Sequence, residues 1–135
     1  MEQSCFTLEM AVRDYECDLQ GVVNNAVYQN YLEHARHEYL KAIGIDFAAL
    51  AAQGINLVVT RIEIDYKTPL TSGDRFVVEV RPERISPVRI GFRQEIYRLP
   101  ERKAVVKALV VGTALNAKGR PQLPEELDEI LRTCS

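Results

Sequence analysis

The chain has 135 residues, of which 47% are hydrophobic and 27% are charged, a balance typical of one soluble globular domain over residues 1–135. Its 17 Lys and Arg residues against 19 Asp and Glu give a net charge of −2, so the basic excess of a nucleic-acid-binding protein is missing. The apolar stretches are much shorter than the roughly 20 residues that cross a bilayer, and we expect no membrane partner.

The N-terminus and the cysteines both indicate a protein of the reduced cytoplasm. Residues 1–5 contain neither the basic nor the apolar segment of a secretory signal peptide. The sequence has three cysteines, an odd number, at Cys5, Cys17 and Cys134. They are widely spaced and form no C-x-x-C pair. Disulfide frameworks and thiolate zinc sites need such pairs, so we expect neither, and we expect a cytoplasmic location.

The first predicted elements are a strand and an acidic loop. Apolar and polar residues alternate at the start of 6–12, which predicts a strand. The acidic loop, residues 13–23, is irregular and rich in carboxylates. Asn24 and Asn25 follow, and Asn is typical of the residue that caps the first turn of a helix.

A long helix is predicted next. Over 26–43 the apolar side chains fall within an arc of about 160° when residues are spaced by 100°. Gly44 stands where glycine commonly ends a helix. A shorter helix over 46–53, closed by Gly54, completes the helical part of the chain.

The remaining sequence has the two-residue period of strands. Residues 58–66 alternate apolar and charged side chains, which predicts a half-buried strand. Further strands lie on either side of a break at Ser86–Pro87, and 104–115 is apolar on both faces, which predicts a central, covered strand. Pro124 opens a terminal helix. Short turns favour antiparallel pairing, and one long helix on one sheet makes an α+β layer pair.

Several familiar catalytic motifs are absent from the sequence. There is no G-x-S-x-G nucleophile elbow and no glycine-rich phosphate loop. His34 and His37 have a spacing at which a helix can hold a metal, but no further ligand cluster accompanies them. We interpret them as part of a polar helix face and expect no metal and no cofactor. Cys17 lies among carboxylates, which raise the pKa of a thiol and disfavour a cysteine nucleophile.

The acidic loop is the segment best suited to chemistry. Its carboxylates Asp14, Glu16 and Asp18 are potential general bases or nucleophiles. The free N–H groups at the start of the following helix would stabilise an oxyanion. The same residues could instead cap the helix and cover a loop, and spacing alone favours that simpler role.

Longer motifs give the chain a family resemblance. Residues 12–28 read V-R-D-Y-E-C-D-L-Q-G-V-V-N-N-A-V-Y, and residues 31–36 read Y-L-E-H-A-R. The likeness continues through P-L-T-S-G-D-R-F at 69–76 and N-A-K-G-R-P at 116–121. This pattern resembles the hotdog-fold thioesterases of the 4-hydroxybenzoyl-CoA thioesterase-like group, in particular the plant fatty-acyl thioesterases that act on acyl carrier protein. The enediyne polyketide thioesterases are also similar.

The resemblance implies a hotdog fold, in which a twisted antiparallel sheet wraps one long central helix. In that family two subunits pair their sheets edge to edge, the active sites lie at the interface, and dimers commonly form tetramers. It therefore implies a homodimer that assembles further into a homotetramer. It also implies an acyl thioesterase whose substrates are acyl groups carried by coenzyme A or acyl carrier protein.

The resemblance assigns roles to individual residues. Asp18 matches the catalytic carboxylate, as general base or nucleophile. Asn25 stands where many relatives carry a His, and an amide does not titrate, so its role would be hydrogen bonding or capping. Tyr28 and Arg36 match active-site residues of the enediyne branch, and Arg36 would pair with Asp18 or polarise the thioester carbonyl. The simpler roles are core packing for Tyr28 and a surface ion pair with Glu33 for Arg36.

The substrate contacts implied by the resemblance fall into three groups. The oxyanion would be held by backbone N–H groups at the helix entrance, those of Val22, Val23 and Ala26. The apolar acyl pocket would be lined by the long helix and by four residues of the second strand, Leu57, Val58, Val59 and Thr60. The phosphates of the carrier would meet basic side chains drawn from Lys67, Arg84, Arg89 and Arg93. For each of these four, outward-facing strand charge is the simpler role.

Two other functions stay open at this point. The first is a hotdog dehydratase, which needs a His working with a carboxylate; both histidines lie on the polar helix face, which disfavours it. The second is a non-catalytic module that binds acyl thioesters. An intact Asp18 in the acidic loop argues against this module.

Overall fold

The computed structural model describes residues 6–134, with side chains up to residue 132. The elements in chain order are β1 (Phe6–Ala11), a short 3₁₀ turn (Asp14–Glu16), α1 (Asn25–Ala42), α2 (Phe47–Ala52), β2 (Asn56–Tyr66), β3 (Arg75–Ser86), β4 (Arg89–Arg98), β5 (Lys103–Leu115) and α3 (Glu125–Cys134). The predicted helices and strands are present, with ends that differ by one or two residues. Cys5 and the side chain of Cys134 lie outside the described residues, and Cys17 is a free thiol.

The five strands form one antiparallel sheet in the order β1-β3-β4-β5-β2. The antiparallel pairing expected from the short turns is therefore confirmed. Strand β5 pairs on both sides, and its residues 110–114 are buried, so its interior position is also confirmed. The middle strand of the sheet is β4 rather than β5.

Helix α1 packs against one face of the sheet, chiefly on β3 and β1. It begins after Asn24, whose side-chain oxygen accepts a hydrogen bond from the N–H of Ala26 at 3.0 Å, and this capping stabilises the first turn. The ring of Tyr31 lies 4.6 Å from that of Phe76, centroid to centroid. The helix thereby closes the core over fully buried inward residues of β3, namely Phe76, Val78 and Val80.

Strand β2 departs from the prediction of a half-buried strand. It is the edge strand beside β5, and its pairing register shifts at a bulge between Val59 and Arg61. Ile62 and Tyr66 are 38% and 47% exposed. The alternation of side chains is present, but α1 packs mainly over β3 and β1, at the other end of the sheet, so the apolar residues of β2 stay largely uncovered in a single chain.

Helix α3 returns to the sheet and packs on β3. Leu127 and Leu131 on its inner face are buried, and Arg84 of β3 forms a salt bridge with Asp128. Among the residues described, no helix combines the length and the apolar character that a bilayer-spanning helix requires.

Candidate active site

The acidic loop is a tight antiparallel turn that leads into α1. The N–H of Asp18 donates to the carbonyl of Val22 at 2.8 Å, and the N–H of Asn24 donates to that of Glu16 at 3.2 Å. Gly21, at the turn, has a φ of +80°, a conformation that glycine adopts without strain. This pairing places Asp18 on an exposed turn just ahead of the helix.

Asp18 keeps one carboxylate oxygen uncommitted. Its Oδ1 accepts hydrogen bonds from the N–H groups of Gln20 at 2.8 Å and Val22 at 3.4 Å, and these bonds orient the side chain. Its Oδ2 has no hydrogen-bond partner among residues 6–134. A held carboxylate with one free oxygen is suited to act as a general base or a nucleophile.

The other two carboxylates of the acidic loop have structural partners. Asp14 accepts a hydrogen bond from the hydroxyl of Ser72, in the turn between β2 and β3. Glu16 Oε1 accepts from the hydroxyl of Tyr31 on α1 at 2.7 Å and from the N–H of Arg13 at 2.8 Å. Asp14 and Glu16 therefore have the simpler, structural role, in which their hydrogen bonds hold the acidic loop against its neighbours.

The three N–H groups expected to form the oxyanion site already have acceptors. That of Val22 donates to Asp18, that of Val23 to the carbonyl of Leu70 at 2.9 Å, and that of Ala26 to the capping side chain. Hydrogen bonds within the acidic loop and its neighbours therefore use all three of the predicted donors, and the oxyanion role of these N–H groups stays a prediction.

Asn25 supplies the free donor instead. It is the first residue of α1, and its N–H has no acceptor in the part of the chain that is described. Asn24 rather than Asn25 is the cap, so the side chain of Asn25 is exposed. A free N–H at the positive end of an 18-residue helix is suited to stabilise an oxyanion.

The free carboxylate oxygen and the free N–H belong to the same turn ahead of α1. Asp18 pairs with Val22, while Asn24 pairs with Glu16 two residues further along the same short ladder. Two residues of a ladder span about 7 Å along its direction, so both groups lie at the N-terminal end of α1.

Tyr28 has a structural place in this chain. Its hydroxyl accepts a hydrogen bond from the N–H of Leu70 at 2.9 Å, and its ring contacts those of Tyr31 and Tyr66 at 6.2 and 5.7 Å. Burial raises the pKa of the Tyr28 hydroxyl. Its contacts match the simpler role of core packing, and they anchor the start of α1 to the segment before β3.

Arg36 does not pair with Asp18. It lies eleven residues beyond Asn25 on α1, about 16 Å along the helix axis. Its Nη1 donates instead to the Gln94 side-chain oxygen at 3.1 Å, and it is 7% exposed. It forms no ion pair with Glu33 in the described structure, so the surface-pair expectation is corrected as well.

Gln94 is the residue that sequence reasoning missed. It occupies an inward position of β4 in register with the apolar residues Phe92 and Ile96, and it is completely buried. Its Nε2 donates to the carbonyl of Leu32 at 2.9 Å while its oxygen accepts from Arg36. The available signal was one polar residue within an otherwise apolar alternation.

A cavity of about 290 Å³ lies beside Arg36, between α1, α2 and the β2–β5 end of the sheet. Its walls are mainly apolar, and they include Leu40, Phe47, Ile90, Phe92, Val110 and Leu127. Of the predicted pocket residues, Leu57, Val58 and Val59 line it. Thr60 does not; its hydroxyl donates to the carbonyl of Val111 at 3.2 Å beside the bulge.

The polar part of the cavity wall comes mostly from α1. Glu33 and His37 lie at its exposed side, and Thr113 of β5 also contributes. The His37 ring is 5.5 Å from that of Phe47. His37 is therefore exposed as predicted, yet it borders the cavity.

The four basic residues proposed for carrier phosphates do not converge. Arg84 is bound to Asp128, and Arg93 pairs with Glu83 at 2.6 Å, because both face carboxylates of neighbouring elements. Lys67 and Arg89 are exposed without an ion pair among the described residues. Lys67 follows the Tyr66–Val106 pair and Arg89 pairs with Thr113, positions about 24 Å apart along β5.

The remaining candidates for chemistry are weak. Desolvation, followed by the charges of Asp14 and Asp18, raises the pKa of the Cys17 thiol, in the direction expected from its acidic surroundings. Within the described part of the chain, no cluster of three or more His, Cys, Asp or Glu side chains is arranged to hold a metal ion.

Comparisons with known proteins place the chain in a family. Residues 12–131 match the Thioesterase-like superfamily. The chain is 43% and 45% identical over 114 residues to two Arabidopsis thaliana proteins named acyl-acyl carrier protein thioesterases ATL3 and ATL2, chloroplastic. The match covers 84% of this chain but only 60% and 61% of those proteins.

The fold is shared with a solved structure, that of a 1,4-dihydroxy-2-naphthoyl-CoA thioesterase from Synechocystis. The two chains superpose with a TM-score of 0.89 at 19% identity, over 96% of each. This likeness confirms the α+β hotdog fold. With the family match over most of its length, the chain belongs to the Thioesterase-like superfamily.

Proposed function

We propose that this protein is an acyl thioesterase that hydrolyses acyl thioesters of coenzyme A or acyl carrier protein. The observation that carries the proposal is an oriented Asp18 carboxylate with a free Oδ2, on the turn directly ahead of α1, whose first residue, Asn25, has a free N–H. The names of the two plant relatives support the reaction class. The apolar cavity supplies a place for the acyl chain.

The reaction uses Asp18 in one of two ways. As a general base, it takes a proton from the water that attacks the thioester carbonyl; as a nucleophile, it attacks that carbonyl itself and forms a mixed anhydride that water then opens. In both routes the Asn25 N–H and the positive end of α1 stabilise the oxyanion, a contribution of about 3 kcal/mol for one well-placed donor. The carrier thiol leaves with a proton, and the acyl group leaves as a carboxylate.

The working unit is a dimer. Within one chain the Asp18 end of α1 and the cavity beside Arg36 are about 16 Å apart along the helix. Pairing of two β2 edges brings the acidic loop of one subunit to the cavity of the other. Exposed Val59, Ile62 and Tyr66 on that edge strand support this arrangement, and two such dimers form the tetramer.

The carrier is recognised through the pantetheine arm that coenzyme A and acyl carrier protein share. Lys67 and Arg89 are the basic residues left available to its phosphates, since Arg84 and Arg93 have carboxylate partners. A panel of acyl-CoA substrates of varied chain length, together with one aryl-CoA, tests the coenzyme A branch. Inactivity across that panel combined with activity on acyl carrier protein selects the second carrier.

The central test is Asp18→Asn, assayed on the best acyl thioester of that panel. We expect kcat to fall by about 10²- to 10⁴-fold, because the amide neither accepts a proton nor attacks the carbonyl. The matched control is Asp14→Asn in the same loop, whose side chain accepts a hydrogen bond from Ser72, and it should retain activity within a few-fold.

Near-normal turnover by the Asp18→Asn enzyme would contradict the proposal. Tight binding of an acyl thioester that the wild-type protein never hydrolyses would instead identify a binding module. Release of water from a 3-hydroxyacyl thioester, with no hydrolysis, would identify a dehydratase.

A further inference from the structure

Arg36 is a buried cation with no carboxylate in ion-pairing contact. The residue is 7% exposed, and no carboxylate among the described residues forms an ion pair with it. Within the described residues its one hydrogen bond goes to a neutral amide, that of Gln94. Burial lowers the pKa of the guanidinium, and the charge of Glu33 offsets this only in part. Burying a guanidinium without an ion-pair partner is costly, and proteins usually offset that cost with a carboxylate or phosphate.

The guanidinium of Arg36 has unused donors, and the residue lines the cavity. Arg36 lines the cavity wall, and its Nε and Nη2 have no acceptor among the described residues. Neither nitrogen is among the sealed polar atoms that lack a partner, so both remain accessible. The cavity therefore has an apolar body and one buried cation in its wall, with Glu33 at its exposed side.

Gln94 holds the guanidinium in place without neutralising it. Both ends of its side-chain amide are used, one toward Arg36 and one toward the carbonyl of Leu32, and no part of the residue is exposed. A Glu at this position would have paired with Arg36 and cancelled its charge. The neutral amide leaves the charge available to a ligand.

We infer that Arg36, oriented by Gln94, is a carboxylate subsite that binds the carboxylate of an apolar-chain acid within the cavity. The planar guanidinium matches a carboxylate with two parallel hydrogen bonds, and the apolar walls cover the chain. The inference deepens the proposed function, and two ligands share the chemistry: the fatty acid that hydrolysis releases, and an acyl chain with a second carboxylate at its far end.

Glu33 works against such a ligand. It lies one turn before Arg36 on α1 and borders the same cavity, on its exposed side. Its carboxylate attracts the guanidinium and repels an incoming anion. Replacing it with a neutral residue should therefore strengthen carboxylate binding, which is the opposite of the effect of removing Arg36.

The test compares two ligands of equal chain length, octanoate and octanamide, by titration calorimetry on the full chain. Wild-type protein should bind octanoate at least about tenfold more tightly, because a charge-assisted pair is replaced by a neutral contact in the amide. Arg36→Met and Gln94→Glu should both abolish this preference, the second because the new carboxylate occupies the guanidinium. Glu33→Gln should increase it.

Two of the variants, Gln94→Glu and an additional Arg36→Lys, distinguish loss of the subsite from loss of folding. Gln94→Glu changes almost no volume, so it carries the test if Arg36→Met does not fold, as judged by thermal unfolding. Arg36→Lys keeps the charge but loses the planar fork, and an intermediate preference is expected. Equal binding of the two ligands by wild-type protein overturns the subsite, as does a preference that survives both Arg36→Met and Gln94→Glu.

Kinetics then identify the source of the carboxylate. If it is the chain end, the kcat/KM ratio of the octanedioic acid mono-CoA thioester to octanoyl-CoA falls about tenfold in Arg36→Met. If it is the product, octanoate inhibits octanoyl-CoA hydrolysis in wild-type protein but not in Gln94→Glu. Equal losses on both thioesters, with no change in inhibition, overturn the subsite and place Arg36 at the thioester carbonyl.

The outcomes separate this inference from the proposed function. Arg36-dependent octanoate binding by a protein that hydrolyses no thioester refutes the thioesterase and keeps the subsite. Hydrolysis that depends on Asp18, with no octanoate preference, keeps the thioesterase and refutes the subsite.

Discussion

Tyr31 connects the acidic loop to the helix that follows it. Its hydroxyl donates to Glu16 at 2.7 Å, and its ring packs on Phe76 in the core. The carboxylate that it holds is two residues from Asp18, so this single bond helps to fix where the proposed catalytic group lies. Burial, followed by the hydrogen bond to Glu16, raises the pKa of Tyr31.

The raised pKa predicts a loss of stability in alkali. An unfolded tyrosine ionises near pH 10, roughly its ordinary pKa, while folded Tyr31 keeps its proton to higher pH. The contribution of Tyr31 is therefore complete below about pH 10 and is lost as the pH rises above it. Urea unfolding between pH 8 and 11 should show this fall, and Tyr31→Phe should make it less steep.

The control for this prediction is Tyr15→Phe. Tyr15 is 79% exposed, so its removal should leave the alkaline fall unchanged. At pH 7 the Tyr31→Phe protein should also lose about 1–2 kcal/mol of unfolding free energy with the hydrogen bond. An alkaline fall of equal slope in Tyr31→Phe and wild-type protein would contradict the assignment.

Individual residues differ in how far the sequence reveals them. Asp18 stands in a motif long enough to identify it, and the structure leaves its Oδ2 free. The donor at the helix start was displaced from Ala26 to Asn25, because which N–H stays free depends on which Asn caps the helix. The role of Gln94 was not predicted, because its hydrogen-bond partners, Leu32 and Arg36, lie about 60 positions away in the sequence. Local sequence patterns do not extend over such a separation.

Helix ends that depend on residues within one turn were predicted well from the sequence. The start of α1 follows from Asn24 and its end from Gly44, both of which act within one turn. The prediction that β2 is half-buried was wrong. The periodicity of 58–66 indicates only which residues share a face of the strand, whereas burial depends on which other elements cover that face. The same alternation on β3, which α1 does cover, gave fully buried residues.

Gly112 shows how closely β2 and β5 approach. A Cβ built at this position would lie 2.8 Å from the carbonyl oxygen of Val58, which is backbone and has little freedom to move. Gly112→Ala should therefore lower the unfolding free energy by about 2 kcal/mol, as overpacking does. Since both residues line the cavity, octanoate binding should weaken as well.

The matched control is Gly91→Ala on β4. Its Cβ would meet the end of the Ile85 side chain at 2.8 Å, and Ile85 is partly exposed and able to turn aside. The expected loss is below about 1 kcal/mol. Denaturant unfolding of the two variants gives the comparison, and a larger loss at Gly91 than at Gly112 would contradict this account.

In the part of the chain that the structure describes, the outer edge of β2 is a long sheet edge without a partner strand. β2 has eleven residues and a partner on one side only, while exposed Val59, Ile62 and Tyr66 add apolar surface to it. Such an edge associates readily with another strand. The proposed pairing of two β2 edges accounts for both the open edge and the divided site.

Ile62→Lys tests the pairing, because it places a lysine of each copy on the strand that the proposed interface uses. We expect the mass in light scattering to fall toward the 15.3 kDa of one chain and thioesterase activity to fall with it. Ile85→Lys is the control: it replaces another exposed apolar residue, on β3, and should leave the assembly intact. An Ile62→Lys protein that is monomeric and fully active would contradict a shared site.

Strand β2 contributes both to the cavity wall and to the proposed subunit interface, so selection on either would act on the same residues. Leu57, Val58 and Val59 border the cavity, while the outer edge of the same strand is the one proposed to pair with a second copy. Under these two proposals, a substitution there that adapts the cavity to a new acyl group would also disturb the pairing edge. Divergence in substrate preference should therefore accumulate at Phe47 and Leu127, on helices that border the cavity away from that edge.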